Sequence, residues 1–192
     1  MMEYQKVPVT ICFNKCDLVS EEEKENLQKI YAPAGYDILF TSVKTGENID
    51  RLKALLAEKT TTVAGPSGVG KSSLINELQT DVRMQTGAIS DKIGRGKHTT
   101  RHSEIISIGQ ETYIMDTPGF SSMDLPGFEK EDLWTCYPEF VPYEPECRFI
   151  GCSHIGEPDC GVKNALAEGK ISRVRYDNYV MLYDEMKNIR KY

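Results

Sequence analysis

The chain has 192 residues, is 40% hydrophobic and 27% charged, and carries a net charge of −6, which suits one α/β domain with a small appendage and argues against a general nucleic-acid binder. No apolar run approaches the ~20 residues of a membrane span, and the first six residues hold no signal-peptide core. The expectation is therefore a cytoplasmic chain without a membrane partner, whose six cysteines point to metal rather than to disulfides.

In chain order, the β-prone run Val7–Phe13 predicts a buried strand ending at Asn14-Lys15-Cys16-Asp17. Ser20 with Glu23 forms a capping box for a helix to about Tyr31. Tyr36–Phe40 reads as a second strand, followed by Thr41-Ser42-Val43-Lys44. Asn48 is expected to cap a helix carrying Ile49, Leu52, Leu55 and Leu56. A strand ending at Thr62-Val63-Ala64 leads into Gly65-Pro66-Ser67-Gly68-Val69-Gly70-Lys71-Ser72-Ser73, and a helix continues through Leu78. Residues 80–102 read as irregular, with Arg83, Lys92, Arg95, Lys97 and Arg101 concentrated there. Glu104–Ile108 and Thr112–Met115 predict a hairpin ending at Asp116-Thr117-Pro118-Gly119. Glu129–Cys136 reads as a helix whose Leu133 and Trp134 pack into the fold, and Cys12 and Cys136 are expected in the core. The tail predicts helices over Val162–Leu166 and Arg173–Ile189 broken at Gly169, with Tyr179, Leu182, Tyr183 and Met186 as a core stripe.

Alternation of strand, loop and helix predicts a parallel sheet covered by helices, with ligands at the carboxyl ends of its strands. The Gly65–Ser73 stretch has the P-loop pattern in its required strand–loop–helix setting. Its glycines let successive N–H groups curl around a phosphate, Lys71 reaches the outer phosphates, and Ser72 ligates Mg²⁺. Asn14-Lys15-Cys16-Asp17 resembles the guanine-reading motif of GTPases. There Asp17 accepts from both guanine N–H donors, Asn14 meets N7 and ties neighbouring loops, and the Lys15 stem lies on the base, with Cys16 as the free position. Ser42-Val43-Lys44 resembles the second base loop, whose backbone N–H groups meet the guanine oxygen. Either motif alone is an ordinary polar turn; at strand ends beside a P-loop they converge on one ligand. Thr99 and Thr100 are candidates for the threonine that senses the outer phosphate through Mg²⁺, with Thr100 favoured. Asp116 would act on Mg²⁺ directly or through water, and the Gly119 N–H would hold the γ-phosphate. Cys147, Cys152, His154 and Cys160 offer three thiolates and an imidazole within fourteen residues, a donor set for one structural Zn²⁺.

The base-reading segments precede the P-loop and Asp116–Gly119 follows it, whereas in a Ras-like GTPase the P-loop comes first and the base-reading loops last; a sheet accepts such a permutation when the parent termini lie close together. With this order, Gly94-Arg95-Gly96-Lys97-His98-Thr99-Thr100 and the downstream Cys/His cluster, the chain closely resembles the RsgA (YjeQ) family of circularly permuted, small-ribosomal-subunit-dependent GTPases from Val7 to about Tyr183. The resemblance implies a GTPase domain over 1–125, a zinc-binding helical domain over 126–192, and the same four zinc ligands. It further implies GTP/GDP and the small (30S) ribosomal subunit with its rRNA as partners, and a monomer. An N-terminal OB-fold and the strand joining the base-reading strand to the P-loop strand have no counterpart here. The expectation is thus an N-terminally incomplete chain, unstable as an isolated monomer. Phe120 stands where Ras-like enzymes place a water-orienting glutamine, so His98 is the candidate for positioning water, against a backbone- or phosphate-contacting loop histidine. An RNA-binding or interaction module in which hydrolysis is incidental is the alternative function; an ATPase is disfavoured by Asp17.

Overall fold

A computed structural model describes residues 2–86, 104–116 and 128–188, the side chains of 80–86, 104 and 116 excepted. Its strands are β1 (Thr10–Asn14), β2 (Asp37–Thr41), β3 (Thr60–Val63), β4 (Glu104–Gly109) and β5 (Thr112–Asp116). Its α-helices are α1 (Glu21–Tyr31), α2 (Ile49–Leu56), α3 (Lys71–Thr86), α4 (Gly161–Ala167) and α5 (Arg173–Asn188). The chain divides into two compact units, one of Cys12–Ser20 with Leu39–Met123, the other of Met1–Ile11, Glu21–Ile38 and Asp124–Tyr192.

The strands form two sheets rather than the single expected one: β1 pairs with β2, and a three-stranded sheet runs β3-β5-β4. β3 is parallel to β5, with Thr60 opposite Tyr113 and Val63 opposite Asp116, while β4 and β5 form the expected antiparallel hairpin. β1 starts three residues later than the apolar run suggested, and none of its residues is buried. Cys12, expected in the core, is exposed. The neighbouring strand β2 takes the burial in this sheet, with Leu39 and Thr41 both buried.

Within the unit containing the three-stranded sheet, the core is Ile49 and Leu56 of α2, Ile75 and Leu78 of α3, Ile108 of β4 and Ile114 of β5. The spacing follows the periods of each element. Ile49, Leu52 and Leu56 recur at three and four residues along α2, and Ile106 and Ile108 alternate with exposed Ile105 and Ser107 on β4. Asn48 sits at the start of α2 but does not cap it: its φ is 57°, and its side-chain amide donates instead to the Phe40 carbonyl at 2.8 Å.

The second unit has an aromatic core built from Leu133, Tyr137, Phe140, Val162, Ala165, Ile171, Tyr176 and Tyr179, with Cys152 and Cys160. The segment 130–136 is a 3-10 helix that buries Leu133, with Trp134 and Cys136 half-buried against the same core. On α5 the buried face is Tyr176 and Tyr179, continued by half-buried Tyr183 and Met186; Leu182 faces outward at 37% exposure. At 100° per residue, Leu182 falls about 90° from the centre of the stripe that includes Tyr176. Gly161 opens α4 because nothing larger fits there, a Cβ lying 2.2 Å from the Tyr143 carbonyl oxygen. α4 ends at Gly169 (φ 73°), where the Lys170 N–H bonds the Ala165 carbonyl and the Gly169 N–H the Leu166 carbonyl, a Schellman ending.

α1 buries no residue of its own and packs against α5. Arg175 of α5 supplies the anchor. It donates through Nε and Nη2 to both carboxylate oxygens of Glu139 (2.7 and 3.2 Å), and Glu139 is only 2% exposed. The guanidinium lies 4.7 Å from the Tyr137 ring centroid and 5.8–5.9 Å from those of Tyr36 and Tyr31. Burial, with a hydrogen bond to Glu3, pushes the Tyr36 phenol up to about 12. Burial likewise pushes Tyr137 up to about 12, so both rings stay neutral beside the cation. Arg175→Ala strands the Glu139 carboxylate and empties the ring cage; it is expected to destabilise the protein by about 3–5 kcal/mol. A denaturant melt of the variant checks this, and a loss under ~1 kcal/mol would contradict it.

Candidate functional site

Three strand ends build the first site, within the unit that holds the three-stranded sheet. β3 ends at Val63 and α3 begins at Lys71, so the loop between them carries the glycine pattern. Gly70 is required twice over. Its φ is 97°, and a Cβ there would come within 2.4 Å of the Asn14 Nδ2. The Lys71 ammonium donates to the carbonyls of Gly65 (2.5 Å) and Pro66 (2.9 Å), which holds it across its own loop.

The segment after β1 is bonded to that loop. The Asn14 side-chain amide donates to the Val69 carbonyl at 3.0 Å, and the Lys15 ammonium to the Gly68 carbonyl at 2.7 Å. Lys15 adopts a left-handed conformation (φ 65°), from which the chain enters the 3-10 turn Cys16–Leu18. Cys16 points inward and is 2% exposed, which leaves Asn14, Lys15 and Asp17 as the motif's outward groups.

The segment after β2 orients Asp17. The Ser42 hydroxyl donates to Asp17 Oδ1 at 2.6 Å and accepts from the Thr45 N–H at 3.2 Å. Lys44 Nζ lies 3.8 Å from Asp17 Oδ2. The Ser42 hydrogen bond holds the Asp17 carboxyl below the usual carboxylate range, so it stays an anionic acceptor at neutral pH. The Ser42 N–H is taken by the Glu47 carbonyl, so its contribution is through the hydroxyl rather than the backbone. Thr41, which sequence reading passed over, is fully buried and donates to Asn14 Oδ1 at 3.3 Å, with the Cys12 thiol 3.3 Å from the same hydroxyl. A hydroxyl residue beside Ser42 was the available signal, but its partner lies 27 residues away.

Asp116 ends β5, one strand from β3 in the same sheet. Its side chain, and Arg83's, lie outside the described residues, as do Lys92, Arg95, Lys97, His98, Thr99, Thr100, Arg101, His102, Gly119 and Phe120 in full.

The second site belongs to the other unit. The ligand atoms of Cys147, Cys152, His154 and Cys160 all lie within 4.8 Å of one another. Cys147 and Cys160 sulfurs are 3.8 Å apart, and His154 Nδ1 lies 3.5 and 3.4 Å from them. A tetrahedral zinc with ordinary bond lengths requires edges of about 3.8 Å between sulfurs and about 3.5 Å from sulfur to nitrogen, so the donor set fits that ion. His154 presents Nδ1 to the thiols; Nε2 is buried with no hydrogen-bond partner among the described residues, and the ring meets Trp134 and Phe140 edge to face. Burial pulls the imidazole down from its ordinary value, which keeps it neutral, as a ligand must be. Burial pushes the Cys152 thiol up to about 12, and a coordinated cation is what converts such a thiol to thiolate.

The knot is braced from outside. Tyr176 and Tyr179 donate their hydroxyls to the carbonyls of His154 (2.6 Å) and Ser153 (2.7 Å). The Glu157 carboxylate accepts from the Ser153 N–H and hydroxyl and the Ile155 N–H. Burial pushes that carboxyl up, but the hydrogen bonds outweigh it and hold it at about 2.

Residues 1–126 match the family model described as RsgA GTPase. The chain is 73% identical over its whole length to the small ribosomal subunit biogenesis GTPase RsgA of Agathobacter rectalis, covering 64% of that protein. It is 46% identical over 99% of its length to the RsgA of Clostridium perfringens, covering 66% of it. Among solved structures, YjeQ from Thermotoga maritima superposes with a TM-score of 0.76 at 34% identity, over 98% of this chain and 63% of that one. YloQ, described as a circularly permuted GTPase, superposes with a TM-score of 0.72 at 30% identity, over 100% and 61%.

The donor geometry predicts one zinc ion per chain by metal analysis, abolished in Cys152→Ser. Chelation is expected to expose the thiols to a disulfide reagent and to lower the melting temperature, because the ligands anchor the loop that Tyr176 and Tyr179 hold. A chain that keeps its melt and its thiol protection after full zinc removal would contradict the assignment.

Proposed function

As a member of the RsgA GTPase family, this chain is one that, we propose, binds and hydrolyses GTP and acts in late maturation of the small (30S) ribosomal subunit. The chain spans about two thirds of the curated relatives it matches, and the reading is carried by what its own residues do. The supporting observation is the pair of hydrogen bonds from Asn14 and Lys15 to the carbonyls of Val69 and Gly68, because it sets a base-reading segment against a phosphate loop. Asp17, held anionic by Ser42, accepts from the guanine donors; adenine offers neither. Val43 and Lys44 supply further backbone donors beside the base, and Cys16 shapes the turn from within.

Gly65 to Gly70 wrap the phosphates, donating from every backbone N–H except at Pro66, which has none, and Lys71 exchanges its two loop carbonyls for phosphate oxygens. Ser72 and Thr100 are the proposed Mg²⁺ ligands, with Ser73, Thr99, Asp116 and Gly119 around the same phosphates. Mg²⁺ held there would supply charge neutralisation for phosphoryl transfer. Since Phe120 cannot orient water, His98 is proposed to position it, and intrinsic turnover is expected to be slow. One structural zinc at Cys147, Cys152, His154 and Cys160 completes a helical domain over 126–192, and residues 1–125 make up the GTPase domain. The proposed setting is the cytoplasm, with the chain acting as a monomer that meets the ribosomal subunit through its rRNA; the names of the relatives support the ribosomal part of this reading.

Asp17→Asn is expected to cut the preference for GTP over ATP by roughly 10- to 100-fold, the worth of charge-assisted hydrogen bonds to the base. Nucleotide titration measures it, and equal ATP and GTP binding by the unsubstituted chain removes the guanine assignment. GTP hydrolysis is expected to rise when small ribosomal subunits are added, and His98→Ala to lose most of that rise. Wild-type turnover by the variant with and without subunits rules His98 out.

A further inference from the structure

A groove of about 860 Å³ lies between α1 and the α4–α5 corner, within one compact unit. Its apolar floor includes Ile30 and Leu166. Its charged lining is wholly basic, Lys29, Lys163 and Arg173, on a chain whose net charge is −6. These cations are loosely held. Lys29 reaches Glu25 only at 4.0 Å, both side chains being about 70% exposed. Lys163 donates to the Ile155 carbonyl at 3.4 Å. Arg173 pairs with Asp177 one turn along α5, both well exposed. Such pairs are worth about 0–1 kcal/mol, so an incoming anion displaces them at little cost. Lys29 and Arg173 stand apart from the nucleotide loops and the Cys/His cluster, while Lys163 borders that cluster, its backbone N–H bonding the Cys160 sulfur and its ammonium the Ile155 carbonyl; no part of the proposed function uses the three side-chain charges.

We propose that this groove takes the sugar–phosphate backbone of a single-stranded RNA segment. The phosphates lie against Lys29, Lys163 and Arg173, and riboses or base edges cover Ile30 and Leu166. The Asn26 amide and the Ser172 hydroxyl on the same lining are donor–acceptor groups of the kind that meet a 2′-hydroxyl. Charge complementarity and an apolar floor define a track for a flexible polyanion with stackable or apolar faces. The choice of RNA over an acidic peptide rests on the ribosomal reading above.

The test is fluorescence anisotropy of a labelled 15-nucleotide single-stranded RNA with the zinc-loaded 192-residue chain, at several salt concentrations and without nucleotide. Lys29→Gln/Lys163→Gln is expected to bind roughly tenfold more weakly, and its log–log salt slope to be shallower by about 1.4, two phosphate contacts at ~0.7 each. Lys29→Arg/Lys163→Arg retains the charge and is expected to bind as wild type, which separates lost contacts from lost folding. Unchanged affinity and slope in the glutamine variant, or no RNA binding by the wild type, overturns the proposal. So does a polyglutamate peptide that binds as tightly and depends equally on both lysines, since the groove then selects acidic peptide. GTP titration of the glutamine variant runs in parallel and is expected to be unmoved. Failure of GTP binding with RNA binding intact counts against the GTPase reading alone.

Discussion

Two hydrogen bonds between segments 55 and 53 residues apart in sequence hold the candidate nucleotide site together. Asn14 and Lys15 donate to carbonyls of the phosphate loop, and the absence of a side chain at Gly70 is what lets the Asn14 amide come that close. A loop of glycines has many conformations to lose, and carbonyl acceptors pinned by a neighbouring segment reduce them. The same Asn14 accepts from the buried Thr41 hydroxyl, so the segments after β1 and β2 and the phosphate loop form one connected network. Ser42 extends it to Asp17 and sets that carboxylate's charge.

The Cys/His cluster, a candidate metal site, works on a different principle. Its unit buries rings and aliphatic side chains together, and two tyrosines of α5 bond directly to the carbonyls of the ligand loop. Ring burial supplies apolar area, while the hydroxyls satisfy carbonyls that a short wrapped loop cannot pair internally. The Arg175–Glu139 pair adds a buried charge satisfied on both sides, with neutral phenols around it. That arrangement draws α1, which buries nothing itself, onto α5.

Much of this was legible in the chain. The hairpin of β4 and β5, the helices α1, α2, α4 and α5, the start of α3, the P-loop, the base-reading segments, the permuted order and the four-ligand cluster all follow from local spacing, while α3 runs on to Thr86 through residues read as irregular. The errors share one cause. Cys12 was read from apolar pattern, which reports that a strand can be buried but not which of its side chains are covered, and the single sheet from the alternation of elements, which does not report which strands pair. Leu182 was placed in the stripe without Tyr176, whose burial shifts the centre of the face. Asn48 has the residue type and position of a cap, yet a nearer carbonyl takes its amide.

The sequence by itself determined which chemical groups are present and at what spacing: phosphate loop, Asp17, three thiols and an imidazole. Those signals are local, so they survive without knowing the fold. Only the tertiary structure decided which carbonyls Asn14 and Lys15 meet, that the Ser42 hydroxyl serves Asp17, that Nδ1 of His154 faces the sulfurs, and that three cations line one groove. Each of these depends on side chains from separate elements arriving within hydrogen-bond or Coulomb range, and that range is set by packing rather than by distance along the chain.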